Sequence, residues 1–241
     1  MISPDCSILN LPSVNNSLSS RRPKSPELRN FLEILLRDHF TLHHYKRRNP
    51  LYYEGHPAVG VYCVRSGRAK VYRMGSNGKP HILQIANSED FLGVECILGG
   101  EEYMSSCEML EDGQVAFLDR QKFLELIRQN VGLAYEMSRY LARRVLSGDE
   151  ARVHLADARV RERMARALLL LARSYGVSVK DGVRLDIRLK REDLANLVGT
   201  AVGTVLRLLK DLREEGLLLA PQGKKIILLN LEKLEEVARL G

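Results

Sequence analysis

The 241-residue chain is poor in cysteine, has no long apolar run, and carries none of the short motifs that mark an active site. Its four cysteines, Cys6, Cys63, Cys96 and Cys107, lack CxxC spacing. That excludes a zinc site of this type and a disulfide scaffold, and predicts reduced, buried thiols. No stretch approaches the roughly 20 apolar residues of a membrane helix, so the chain is expected to be soluble, with no membrane partner. The leading MISPDCSILNLPSVNNSLSSRRPKSP has no basic segment followed by an apolar core. No secretory signal is therefore expected; a disordered lead over 1–25 and a cytoplasmic protein are. There is no nucleophile–base constellation, phosphate loop or metal-ligand spacing. No catalytic residue or metal site is assigned, no cofactor is identified, and an enzyme is not expected.

What is present divides in two. The length exceeds that of one ordinary domain. The net charge of +7 is uneven: residues 151–241 hold 18 Lys/Arg against 12 Asp/Glu, whereas 1–150 hold 19 against 18. A basic half joined to a neutral one is the pattern of a nucleic-acid reader beside a sensor. From Tyr45 to Leu118 short apolar or alternating runs are punctuated by glycine, as in VGVYCVRSGRAKVYRM (59–74), HILQIA (81–86), SCEML (106–110) and QVAFL (114–118). These predict many short antiparallel strands. Asn77-Gly78 suits a tight hairpin, and Gly55, Gly60, Gly67 and Gly113 are read as further corners of a jelly roll.

The segments YYEGHPAVGVYCVRSGRAKVYR, DFLGVECILGG and EDGQVAFLDRQKFLELI resemble the cyclic-nucleotide-binding β-roll of the Crp/Fnr regulators. With the C-terminal match below, the resemblance spans roughly residues 30–230. It implies a phosphate cassette at 93–105, in which a carboxylate holds the ribose and an arginine neutralises the cyclic phosphate. In this chain Val94 stands where the glutamate is implied and Met104 where the arginine is implied, leaving three carboxylates and no cation in the cassette. A buried phosphate without a basic partner is strongly disfavoured, so cyclic AMP is not the expected effector. The candidate effector pocket is Gly93, Val94, Glu95, Cys96, Met104 and Ser105, with the effector unidentified. Glu95 as a displaced ribose ligand is the weaker alternative, because a one-residue shift in a strand reverses side-chain facing. Family members that carry iron–sulfur or haem offer no match: only Cys6 precedes the roll, and His43, His44, His56 and His81 sit in no diagnostic motif. A redox pair of Cys96 and Cys107 stays open.

Residues 119–130 predict a capped helix with an apolar face at Phe123, Leu124 and Ile127, followed by a long helix over about 131–158. Heptad core positions in the latter hold Ala134, Met137, Leu141, Arg144, Gly148, Ala151, Leu155 and Ala158. Periodicity fits equally a coiled-coil seam through Met137, Leu141 and Leu155 and an amphipathic helix packed on its own roll. The resemblance implies the first, a homodimer. Gly148 weakens the middle of the helix by about 1 kcal/mol relative to alanine and marks a bend.

RVRERMARALLLLARSY (159–175) predicts a basic amphipathic helix, and DGVRLDIRL (181–189) a hairpin edge. In KREDLANLVGTAVGTVLRLLKDLREEGLLL, helices at about 191–198 and 201–215 flank the Gly199-Thr200 turn. Leu194, Ala195 and Val198 then face Val205, Leu208 and Leu209, the packing of a helix-turn-helix. The run LLLAPQGKKIILL (217–229) reads as a wing whose tip lysines, Lys224 and Lys225, meet phosphates. This order again resembles Crp/Fnr regulators, which implies a DNA-backbone contact for Arg191 and a major-groove contact for Arg207. Val202 and Gly203 replace the usual base-reading pair, so the familiar operator is not expected. Thr200 and Thr204, with Ala201, Val202, Gly203 and Lys210, complete the candidate DNA face, and an A·T-biased or shape-read site is conceivable. Asn230 can cap a short helix over 231–240.

The expected fold is α+β: lead 1–25, β-roll 26–130, dimerisation helix 131–158, and winged helix-turn-helix 159–241. The expected function is effector-controlled, dimeric binding of a two-fold symmetric site in double-stranded DNA, with RNA polymerase a candidate partner. The competing reading is a sensor or scaffold that acts through protein partners and has lost specific DNA binding.

Overall fold

The computed structural model describes residues 39–76, 78–88, 90–220 and 225–239, with the side chains of 147 and 149–157 excepted. The predicted lead, Asn77 and Lys224 lie outside the described residues.

Strands β1 (Thr41–Tyr45), β2 (Pro50–Tyr52), β3 (Gly60–Val64), β4 (Ala69–Met74), β5 (Pro80–Ala86), β6 (Phe91–Leu92), β7 (Ser106–Met109) and β8 (Gly113–Asp119) build two antiparallel sheets. Their orders are β1-β8-β3-β6 and β2-β7-β4-β5. Val61, Val64 and Val115 from the first sheet and Val71, Cys107 and Met109 from the second enter one apolar cluster, the core of the predicted roll. The β4–β5 hairpin closes where expected, with Met74 paired to Pro80 and Gly78 at φ +71°. Gly55 and Gly67 are corners, at φ +78° and +77°. Gly60 and Gly113 are not. They open β3 and β8, where an added Cβ would lie 2.4 Å from the Leu118 carbonyl oxygen and 2.1 Å from that of Ser66. Close backbone approach, rather than a turn, demands glycine there.

The short helix α1 (Val94–Gly99) sits in the cassette. Helix α2 (Arg120–Gln129) is capped by the Asp119 carboxylate, which accepts from the Gln121 N–H at 2.8 Å, and it buries Phe123 and Leu126. Helix α3 (Val131–Asp157) lays Leu133 and Met137 into the roll core, with Tyr140 and Leu141 packed against it. The expected seam is corrected accordingly: Met137 is buried within its own protomer, Leu141 belongs partly to that same face, and the side chain of Leu155 is not described. At 100° per residue the outward apolar stripe is a different one, Val131, Tyr135, Val145 and Leu146, nearly opposite the buried row.

Helix α4 (Val160–Tyr175) leads to β9 (Gly176–Val179) and β10 (Gly182–Leu185), then α5 (Arg191–Val198), α6 (Val202–Glu214), β11 (Leu218–Leu219), β12 (Ile227–Leu228) and α7 (Leu231–Arg239). The sheet order β11-β12-β10-β9 makes β10 an inner strand rather than a hairpin edge. Asn230 caps α7 as expected, its side chain accepting from the Lys233 N–H at 2.9 Å.

The two halves share packing. Ile82, Ile85 and Leu110 of the roll join Met164, Leu168, Leu194 and Val198 in one buried cluster. Beside it the Lys70 ammonium lies 3.0 Å from Glu108 of the roll and 2.9 Å from Asp193 of α5. Burial alone would lower the Lys70 pKa, but the hydrogen bonds it donates to both carboxylates outweigh that and hold the group above the ordinary lysine value. A raised folded pKa contributes stability that is fully present below the unfolded lysine value and is lost as pH rises through the folded one. The contribution is therefore flat across neutral pH and fades only in strong alkali. Replacing Lys70 leaves two carboxylates facing each other with little water. We expect Lys70→Met to lower the unfolding free energy by about 3 kcal/mol in urea titrations, and Lys70→Met/Asp193→Asn to recover part of that loss. An unchanged midpoint for the single variant would refute the account.

Candidate nucleic-acid interface and effector pocket

Helix α5 starts with the Lys190 N–H donating to the Asp193 carboxylate at 3.0 Å and buries Leu194, Ala195, Leu197 and Val198. Gly199, at φ +70°, turns the chain, and the Thr200 N–H returns to the Ala195 carbonyl at 3.0 Å. Helix α6 buries Val205, Leu208, Leu209 and Leu212, so the predicted packing of the two helices is present. That burial fixes the outward face: Ala201, Gly203, Leu206, Arg207 and Lys210 are exposed, and Thr200, Val202 and Thr204 half-buried. Arg207 lies one turn beyond Gly203, so the helix start offers backbone and small side chains while the cation stands behind them. Lys210 pairs with Glu214 at 3.7 Å, one turn on.

Arg191 stands at the first position of α5, half-buried, and desolvation lowers its pKa. Lys225 departs from expectation: its ammonium is bound to the Asp186 carboxylate. Pairing of β10 with β12, Arg184 opposite Ile227, brings the base of the wing beside Asp186, and neighbours in sequence gave no sign of that partner. A residue that sequence reasoning missed is Arg163. Its guanidinium donates to the carbonyls of Ala158 at 2.8 Å, Val198 at 3.0 Å and Gly199 at 3.4 Å, tying the start of α4 to the helix-turn-helix corner. Among the arginines of that basic helix, only the tertiary fold distinguishes it.

In the cassette, Gly93 has φ +82° and faces the Tyr103 ring. Val94, Cys96 and Ser105 are buried, whereas Met104, where the resemblance implies an arginine, is 59% exposed. Tyr103 stacks on Tyr52 with ring centroids 4.1 Å apart, and its hydroxyl donates to the Gly60 carbonyl at 2.7 Å. Tyr62 lies beside both rings, so three tyrosines fill the roll next to the cassette.

Two expectations change here. Glu95 lies in a helix, so the strand-facing objection to it does not apply. The cassette also has a cation at hand, supplied from outside by α3: an Arg144 Nη donates to Glu95 Oε1 at 3.3 Å and the other to the Tyr140 hydroxyl at 3.4 Å. Tyr140 in turn donates to the Phe91 carbonyl at 2.9 Å, and burial pushes its pKa up to about 12. Burial opposes the Arg144 charge, but Tyr140 and Glu95 outweigh it and keep the guanidinium protonated. The second Glu95 oxygen is buried without a protein partner.

A β-roll packed against a helix-turn-helix with an outward arginine face defines a DNA-binding transcription regulator rather than an enzyme. The family model of the cyclic nucleotide-binding domain matches residues 42–130, and that of the Crp-like helix-turn-helix domain residues 162–237. The chain is 31% identical over 215 residues to the anaerobic regulatory protein of Bacillus subtilis, covering 88% of this chain and 90% of that one. It is 30% identical over 172 residues to the cyclic AMP receptor protein of Thermus thermophilus, covering 71% and 76%. Among solved structures, a CRP-family transcriptional regulator, also from Thermus thermophilus, matches with TM-score 0.70 and 25% identity over 81% of this chain and 96% of that one. FixK2 from Bradyrhizobium japonicum matches in fold with TM-score 0.73 and 23% identity, over 84% and 98%. The chain belongs to the Crp/Fnr family of transcription regulators.

Cys63, Cys96 and Cys107 are buried thiols outside any disulfide among the described residues. Burial raises the thiol pKa of Cys96 and, far more strongly, of Cys107, which leaves little thiolate at neutral pH. We therefore expect these three thiols to resist iodoacetamide and dilute peroxide in the native protein and to react in urea, as read by mass spectrometry. Rapid native oxidation of Cys96 or Cys107 would restore the redox-pair reading.

Proposed function

We propose that this regulator binds a two-fold symmetric DNA site as a homodimer through α6, under control of a signal other than cyclic AMP that acts on its β-roll. The single observation that carries the DNA reading is the exposed face of α6, with Arg207 outward and Gly203 and Val202 at its start. Such a face reads DNA through one arginine, the methyl groups of Val202 and the two threonines. It favours A·T contacts or groove shape over guanine pairs. Arg191 and Lys210 flank it as backbone contacts, with Thr200 and Ala201 at the turn. Lys225 contributes only if Asp186 releases it.

Cyclic AMP is disfavoured by the cassette itself. Val94 is buried, Met104 points outward, and the cations at the cassette are already engaged, Arg144 with Glu95 and Arg120 with the Gly100 and Ala58 carbonyls. Dimerisation is assigned to the outward stripe of α3, where Val131 is 83% exposed and Tyr135, Val145 and Leu146 more than half exposed. Apolar residues at that spacing on a long helix call for a partner helix. A promoter-bound dimer of this kind would meet RNA polymerase, and the cytoplasm is the compartment where it would act.

Selection of bound fragments from random DNA should enrich a two-fold symmetric sequence with half-sites about one helical turn apart. Arg207→Ala should weaken that site by roughly 10-fold or more, the worth of one good base contact. No enrichment, together with retained binding to a protein partner, would favour the scaffold reading. For the dimer, Leu146→Glu should give monomers by light scattering at an unchanged fold. Met137→Ala should instead leave the dimer intact and cost about 2–5 kcal/mol of stability through a cavity in the roll. The reverse pattern would restore the seam through Met137.

A further inference from the structure

Between the two halves lies a cleft of about 170 Å³, lined by the β1–β2 turn, β7 and the start of α5. Its lining includes three exposed cations: Arg47 and Arg48 from the roll and Lys190 from the DNA-binding half. Among the described residues none of the three side chains has an ion-pair partner. Their placement is built rather than incidental. Arg48 holds φ +69°, the only positive φ among described non-glycine residues, and its N–H donates to the Met109 carbonyl at 2.8 Å. The Arg47 N–H donates to Asp112 and the Lys46 N–H to Asn49, each at 2.8 Å. A non-glycine residue in the left-handed region persists only where its surroundings over-determine it, and here they fix the backbone of the turn that carries two neighbouring arginines in the cleft lining.

The carboxylates of the lining set the ligand class. Lys70 is occupied by Glu108 and Asp193, and Glu192 is exposed beside them, so the three carboxylates oppose an extended polyanion. A single compact anion needs only the three exposed cations. The volume is below the roughly 300–1,000 Å³ of drug-sized sites, which leaves room for a phosphate group and a short organic arm. We propose that this cleft is a binding site for a small phosphorylated metabolite, whose phosphate bridges Arg47 and Arg48 of the sensor half to Lys190 of the DNA-binding half. Bridging both halves, the ligand clamps them in the packed arrangement and acts apart from the cassette inside the roll.

The test uses the full chain without DNA, so its failure is separable from failure of the DNA-binding reading. Calorimetric titration with inorganic phosphate and with glycerol 3-phosphate, at constant ionic strength set by chloride, should show saturable binding of one anion per chain and a rise in melting temperature. Arg47→Ala/Arg48→Ala and, separately, Lys190→Ala should weaken binding at least 10-fold while the unliganded variants melt near the parent. Lys122→Ala, on α2, should bind like the parent. Absence of saturation, or binding indifferent to these substitutions, overturns the proposal. If phosphate does not bind and the same variants lower DNA affinity with a shallower salt dependence, the three cations serve the DNA backbone instead, and the metabolite site is overturned.

Discussion

The architecture depends on the contact between the inner end of the roll and the first helix of the helix-turn-helix. There one ammonium, Lys70, is shared by Glu108 and Asp193 beside a cluster of aliphatic side chains from both halves. Three charges so poorly hydrated are tolerable only if each keeps its partners. The triad therefore works as a register pin: it admits one placement of α5 against the sheet and penalises neighbouring ones. Asp193 does this while its other oxygen caps α5, so the start of the DNA-reading unit and its seat on the sensor are set by one side chain. Movement of the reader relative to the sensor has to break or carry this group.

The roll shows what becomes of a nucleotide pocket when its charged residues change. Without a buried arginine at Met104 and a glutamate at Val94, the space beside the cassette holds stacked tyrosines, and one of the three cassette carboxylates, Glu95, turns to Arg144 of the long helix. The result couples the cassette to α3 directly. A change in α1 reaches Arg144, then Tyr140 and the Phe91 carbonyl, through hydrogen bonds already present.

Much of this was readable beforehand, and the reasons are local. The β4–β5 hairpin followed from a Gly-containing turn, the α2 and α7 caps from Asp119 and Asn230, and the helix-turn-helix from apolar spacing across Gly199. What was misread involved partners distant in the chain. Heptad counting placed Met137 in a dimer seam, but the roll surface captured that face of α3, because burial against an adjacent core competes directly with burial against a second helix. Gly60 and Gly113 looked like corners because a glycine needed for φ and one needed for close approach are the same letter. Lys225 looked like a free phosphate contact until strand pairing set it beside Asp186.

By itself, then, the sequence determined the two-part plan, the strand-rich sensor, the order helix, turn, helix and wing, and the missing cyclic AMP residues. Each of these rests on periodicity, turn chemistry or a residue absent from a known pattern, all carried within a few positions. The tertiary structure alone decided which face of α3 is outward, which cations are free, that Arg144 serves Glu95, and that Lys70 pins one half to the other. These are contacts between residues as much as 123 positions apart. Only packing, which trades one buried surface or charge partner against another, selects among the pairings that such a sequence permits.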